Sequence, residues 1–202
     1  MRALRTRLIA GGVALLAMAL AGCTDTPPPS SPPISGTYSP SPTATTEDLP
    51  GPPGYPFPPQ AMEYTEAGAL AFFNYYIDLL NKTTETLDSE PIRLLAGSEC
   101  FGCQNQIEMY DEDRAAGYSY EGGITTITQE PVPVQLRPDV QGGPGALINT
   151  GGTGSPFSVL DASGVPVPGR VYPAYDLSIS VEIAWFPGQL TWQVAALSLV
   201  VA

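Results

Sequence analysis

The sequence contains no histidine. That absence excludes Ser-His-Asp and Cys-His catalysis, imidazole acid–base chemistry and nearly all catalytic zinc sites. Positive charge is also scarce. Eight Lys and Arg stand against 20 Asp and Glu, a formal balance of −12. Three of the eight, Arg2, Arg5 and Arg7, lie near the N-terminus, so the chain from Cys23 onward carries five cations against 20 acids, a balance of −15. Such a surface repels phosphate backbones and anionic headgroups, which excludes sequence-independent nucleic-acid binding and a polybasic membrane contact. The excess acid keeps the protein soluble. A membrane-spanning run is missing too: the apolar stretch Leu8 to Leu20 has 13 residues, short of the about 20 that a span needs.

What residues 1–22 do have is the three-part form of a secretory signal. Arg2, Arg5 and Arg7 make a positive leader, Leu8 to Leu20 follows without charge, and the small residues Ala21 and Gly22 precede Cys23. Length and flanks favour cleavage over an uncleaved anchor helix. Leu20-Ala21-Gly22-Cys23 matches the lipobox at every position, and the segment resembles the leaders of bacterial lipoproteins. The resemblance implies cleavage between Gly22 and Cys23, a diacylglyceryl thioether on the Cys23 sulfur, and a further acyl chain on its amino group. Two chains anchor a protein stably where one holds it only marginally, at about 0.8 kcal/mol per buried methylene. The expected location is the outer, extracytoplasmic face of the cell membrane, with the lipid on Cys23 as the membrane contact.

Residues 23–60 change composition sharply. Thirteen of the 23 prolines fall there, among Ser, Thr and Gly and without Lys or Arg. Pro27-Pro28-Pro29 and Pro52-Pro53 favour extended polyproline II, which spans about 3.1 Å per residue, so the segment reaches on the order of 100 Å at full extension. It reads as a disordered spacer between membrane and domain. A PxxP ligand for a partner is the lesser alternative, and the Ser/Thr content is compatible with O-linked sugars.

Residues 61–202 form the expected domain. From Thr65 to Asn81, Ala69, Phe72, Phe73, Tyr76, Ile77 and Leu80 recur at helical spacing, with Thr65 as N-cap and Glu66 in the first turn. Phe72, Phe73 and Tyr76, with Trp185 further on, are candidate pocket-lining residues, though such stripes are more often core. Lys82 to Glu85 reads as a polar turn. Ser89-Glu90-Pro91 resembles a helix start that Gly97 would end. A third helix runs from Cys100 to about Ala116, with Cys103, Ile107 and Tyr110 on one face and Gly117 as cap. The acidic run Glu108, Asp111, Glu112 and Asp113 reads as a solvated face rather than a metal site.

Beyond Gly117 the period becomes two. Ile124 to Thr128, Val132 to Leu136 and Phe157 to Leu160 are short strand candidates. Gln141 to Gly154 reads as a long Gly-rich hairpin or loop. Its Gly151-Gly152-Thr153-Gly154 lacks the Lys-Ser/Thr of a phosphate loop. Asp176 to Trp185 alternates strictly, Phe186 to Gln189 turns, and Leu190, Trp192 and Val194 begin a partner strand. Its apolar phase slips by one toward Leu197, Leu199 and Val201, which predicts a bulge near Ala195-Ala196.

Helices first and a bent antiparallel sheet afterwards is an α+β order. It resembles the cone-shaped nuclear-transport-factor-2-like (NTF2-like, cystatin-like) fold. Ala71-Phe72-Phe73-Asn74-Tyr75-Tyr76, Leu80-Asn81 and Cys100-Phe101-Gly102-Cys103 resemble a group of uncharacterised actinobacterial lipoproteins that share a domain of unknown function. That likeness implies location and fold and supplies no activity.

Cys100 and Cys103 admit three readings. A local disulfide suits an exported domain and contributes toward the low end of about 2–4 kcal/mol, because the loop is small. Dithiol exchange needs a strand before the motif, and none is apparent. A metal site lacks a second ligand pair. No cofactor, metal or catalytic residue is expected. The function expected is non-enzymatic: a lipid-anchored domain that binds a small apolar ligand or a protein. Alternatives are thiol-disulfide exchange, an envelope-assembly role, and carboxylate chemistry at Asp78 or Glu182. Cys23→Ala should abolish labelling by a fatty-acid analogue and release the protein from membranes; retained labelling would refute lipidation.

Overall fold

The computed structural model describes residues 50–131 and 134–201. The leader 1–22, with Gly22 and Cys23, and the spacer as far as residue 49 lie outside the described residues. Three helices come first: α1 (Glu66–Thr86), α2 (Glu90–Arg93) and α3 (Phe101–Ala115). Eight strands follow: β1 (Ser119–Gly122), β2 (Thr125–Ile127), β3 (Gln135–Val140), β4 (Gly143–Gly154), β5 (Phe157–Leu160), β6 (Pro166–Tyr172), β7 (Tyr175–Phe186) and β8 (Thr191–Val201). The fold is α+β, helices then antiparallel strands, and the sheets do not close into a barrel.

Packing begins earlier than residue 61. Phe57 is only 4% exposed and meets the Phe72 and Tyr75 rings at 5.8 and 5.3 Å. The Tyr75 hydroxyl donates to the Tyr55 carbonyl at 2.6 Å. Proline content marked this stretch as spacer, but one large aromatic side chain gives it enough apolar area to dock. A 3-10 turn, Pro59–Met62, then leads into α1.

Thr65 caps α1 by accepting from the Gly68 amide at 2.9 Å, as its position predicts. The helix outruns its expected end by five residues, through Lys82 to Thr86. This segment is polar in composition yet helical, because Thr83 and Thr84 are buried and Lys82 pairs with Glu85 at 2.8 Å one turn on. Leu87, in the left-handed region, ends it. α2 is a single turn. Gly97 does not cap it; its amide donates to the Val194 carbonyl at 2.8 Å, joining the segment to β8.

There are two sheets where one was expected. The main sheet has the order β2-β4-β7-β8, with β3 also paired to β4; the smaller has the order β1-β5-β6. β2 and β3 pair with opposite ends of β4. β4 corrects the reading of Gln141 to Gly154 as loop. Only Gln141 and Gly142 turn, both at positive φ as a two-residue hairpin requires. The remaining residues are a central strand paired with β7 from Gly145 to Gly154. Its glycines are there for close approach rather than looseness. A Cβ on Gly145 would lie 2.4 Å from the Ile183 carbonyl oxygen and 2.6 Å from Val140; one on Gly154 would strike the Tyr175 ring at 2.2 Å.

β3 starts three residues later than expected for Val132 to Leu136, and Pro138 sits in its register shift at the sheet edge. β7 alternates as predicted, with Leu177, Ile179, Val181, Ile183 and Trp185 buried. The bulge is also where the phase slip put it: Glu182 pairs with Ala196 and Ile183 with Val194, leaving Ala195 extra. The buried face of β7 and β8 packs with Phe72, Phe73, Tyr76, Ile92 and Ile107 in one core.

The crowding at β4 has a direct test. Gly145→Ala should cost about 1–3 kcal/mol from overpacking, whereas Gly143→Ala, with open space around it, should stay within about 0.5 kcal/mol. Urea unfolding of both variants checks this; equal costs would contradict it.

Candidate functional site

One cavity of about 250 Å³ lies where the helices meet both sheets. Leu80, Asn81 and Thr84 from α1 form one wall, and Gln106, Met109 and Tyr110 from α3 a second. Tyr120 and Phe157 of the small sheet, with Thr125, Tyr175, Leu177, Leu199 and Val201 of the main sheet, complete it. The extra turn of α1 brings Thr84 here, and the helical period of α3 places Gln106 and Tyr110 one turn apart on the same face.

The lining is aromatic and aliphatic with neutral polar groups between. Asn81 clamps β2, donating to the Thr125 carbonyl at 2.9 Å and accepting from the Thr125 amide at 2.8 Å. The hydroxyls of Thr84 and Tyr110 are 2.9 Å apart. Burial pushes the Tyr110 phenol up, against the hydrogen bond with Thr84. The Gln106 Oε1 atom is buried without a hydrogen-bond partner among the described residues. Tyr120 stands edge-on to Phe157 with centroids 4.7 Å apart, and 6.1 Å from the Tyr110 ring.

Tyr120 is held from behind. Its hydroxyl donates to Asp113 Oδ2, and the Arg170 guanidinium donates to both Asp113 oxygens, at 2.8 and 2.7 Å. Arg170 also lies 5.6 Å from the Tyr118 ring centroid. The Arg170 guanidinium, with the Tyr120 hydrogen bond, keeps the Asp113 carboxyl below its ordinary range. Burial, reinforced by Asp113, pushes the Tyr120 phenol up, so it stays a neutral donor. Asp113 therefore corrects the reading of the acidic run. Glu108 and Glu112 are solvated, Asp111 meets Ser89 and Arg93, but Asp113 is only 7% exposed.

The expected pocket-lining set is placed elsewhere. Phe72, Phe73 and Tyr76 fill the core and do not line this cavity. Trp185 packs with Trp192 and Tyr64, centroids 5.0 and 6.0 Å away. An aromatic stripe at helical spacing was the signal, and core burial uses it up. Asp78 is exposed, and Glu182 bonds Arg137 at 2.8 Å on the surface, so neither acid faces the cavity. The sequence reading missed Thr84, Gln106, Tyr120, Phe157 and Tyr175 as a group. A strand reading begun at Ser119 instead of Ile124 would have found Tyr120.

The sulfurs of Cys100 and Cys103 are 2.01 Å apart, a disulfide distance. The pair is buried, at 0% and 1% exposure, and Cys100 Sγ accepts from the Cys103 amide at 3.3 Å, capping α3. A sealed cystine at a helix start is a poor substrate for attack by another thiolate.

Because the folded Asp113 pKa is depressed, its contribution is complete above the unfolded carboxylate value of about 3.9 and is lost as pH falls through the folded value. Asp113→Asn should cost about 1–3 kcal/mol at pH 7, with the gap from wild type closing below about pH 4. Urea unfolding across pH 2 to about 7 measures it; a gap that persists at the acid end would contradict the assignment.

No curated protein matches the chain. Among solved structures it is similar to the intermembrane-space region of the chloroplast protein ARC6, at 13% identity and TM-score 0.48, covering 66% of this chain and 97% of that one. It is also similar to an NTF2-like superfamily protein from Salmonella enterica, at 12% identity and TM-score 0.43, covering 68% and 93%. CagV of Helicobacter pylori, a VirB8 homologue, follows at 11% identity and TM-score 0.33, covering 63% and 92%. A family model matches residues 36–140, which takes in all three helices and the start of the strands. The chain belongs to that family, a family of unknown function designated DUF6318.

Proposed function

We propose that this protein is a non-enzymatic binding domain, tethered by lipid on Cys23 at the extracytoplasmic face of the membrane, and that the cavity between α1, α3 and the two sheets is its binding site. The observation that carries this is the chemistry of the lining. Leu80, Leu177, Leu199, Val201 and four aromatic rings surround a few neutral polar groups, and no carboxylate, amine or thiol is among them. Apolar walls with a few placed polar atoms suit ligand binding. The titratable groups in the lining are tyrosines, and both Tyr110 and Tyr120 are pushed toward the neutral form, which does not suit acid–base chemistry near neutral pH.

Thiol-disulfide exchange fits less well, because Cys100 and Cys103 are buried. The lipobox Leu20-Ala21-Gly22-Cys23 and the proline-rich composition of residues 23–60 support the tethered, extracytoplasmic part of this reading. Ligand-observed NMR against small aromatic fragments tests the site. The full chain should return hits that disappear in Leu199→Trp, which fills the cavity, while the thermal midpoint stays within a few degrees. Hits that persist unchanged in that variant would sink the assignment.

A further inference from the structure

The hydrogen bonds within the cavity leave one position over. Thr84 Oγ1 donates its hydrogen to the Leu80 carbonyl at 3.1 Å. In the 2.9 Å contact with Tyr110, Thr84 is therefore the acceptor and the phenol the donor. The Tyr110 oxygen then has only acceptor capacity. Gln106 lies one helical turn before Tyr110 in the same lining, and only its amide NH₂ end suits an oxygen with acceptor capacity alone. Gln106 Oε1 is buried and unpartnered among the described residues. A buried acceptor without a donor is costly. Its terminal torsion is soft, so small rotations can direct it to a donor arriving in the cavity.

Size and charge narrow the ligand further. A dry cavity of about 150 Å³ holds benzene; in the same proportion the 250 Å³ here, open to solvent beside the exposed Met109 and Val201, covers roughly ten non-hydrogen atoms of whatever enters it. The rings of Tyr110, Tyr120, Phe157 and Tyr175 line it and offer stacking and edge contacts to another ring. No Lys or Arg is among the lining residues. Moreover, all five cations from Cys23 onward are engaged by acids: Lys82 by Glu85, Arg93 by Glu90 and Asp111, Arg114 by Asp88, Arg137 by Glu182 and Arg170 by Asp113. No unpaired cation remains among them to receive an anionic ligand.

We infer that the cavity binds a flat, uncharged ring compound of roughly ten non-hydrogen atoms that donates one hydrogen bond, received by Gln106 Oε1. The inference rests on reading this cavity as a binding site and adds the chemistry of what enters it.

Indole and benzofuran separate the two claims, because they share a shape and differ in N–H donor against ring oxygen. Calorimetric titration uses the full chain in phospholipid nanodiscs, with empty nanodiscs as blank. Indole should bind about tenfold more tightly than benzofuran, and indole-3-carboxylate at least about tenfold more weakly than indole. In Gln106→Leu the preference for indole should fall to about twofold or less while benzofuran still binds; Gln106→Met serves as the second variant if the first does not fold. Equal binding of indole and benzofuran to wild type overturns the donor claim alone, as does a preference that survives at residue 106. Carboxylate binding as tight as indole overturns the charge claim. No binding by either ring compound overturns this inference and the cavity assignment together.

Discussion

The carboxylate of Asp113 receives three hydrogen bonds from two strands, and the shape of the candidate site depends on it. Arg170 comes from β6, Tyr120 from β1, and Asp113 itself from α3. One partly buried ion pair thus ties both edges of the small sheet to a helix. A bidentate Arg–carboxylate pair has directional as well as Coulombic content, so it sets the orientation of the sheet as well as holding it near. Tyr120 inherits that orientation. Its ring, set edge-on to Phe157 and close to Tyr110, forms a cavity wall rather than collapsing into the space.

The same pair shows how an acidic protein keeps a neutral cavity. Cations are few, and those from Cys23 onward are all spent on carboxylates. Most of these pairs are solvent-exposed and add little stability. The Asp113–Arg170 pair differs because its side chains are only 10% and 30% exposed. It brings charge near the site, yet Tyr120 covers it, so the cavity meets a phenol ring in place of an ion. The result is a surface of strong negative charge around a lining of rings, methyl groups and one unmatched amide oxygen.

Local patterns in the sequence were enough for several elements. Thr65 as cap, the α1 stripe, the α3 face of Cys103, Ile107 and Tyr110, the alternation of β7 and the bulge at Ala195 all follow from rules that act over a few residues. The errors arose where distant partners decide. Lys82 to Thr86 stays helical because Thr83 and Thr84 find cover from elsewhere in the fold. β4 is a central strand despite its glycines because Val140, Ile183 and Tyr175 leave no room for a Cβ. Phe57 docks because the rings of Phe72 and Tyr75 are there to receive it.

The sequence by itself determined the α+β order, the acidic balance and the absence of imidazole chemistry, because composition and short-range periodicity carry that information; it left three readings for Cys100 and Cys103, and the structure brings their sulfurs to a disulfide distance. Only the tertiary structure decided which aromatics became core and which became cavity. Phe72, Phe73 and Tyr76 share the helical period of a pocket stripe but are buried in the main core with residues of β7 and β8. Tyr110, Tyr120, Phe157 and Tyr175 come from four separate elements and meet only when the two sheets are set against α1 and α3. A cavity is a property of side chains distant along the chain, so no local pattern announces it, and the long-range Asp113–Arg170 contact that shapes it is equally silent in the sequence.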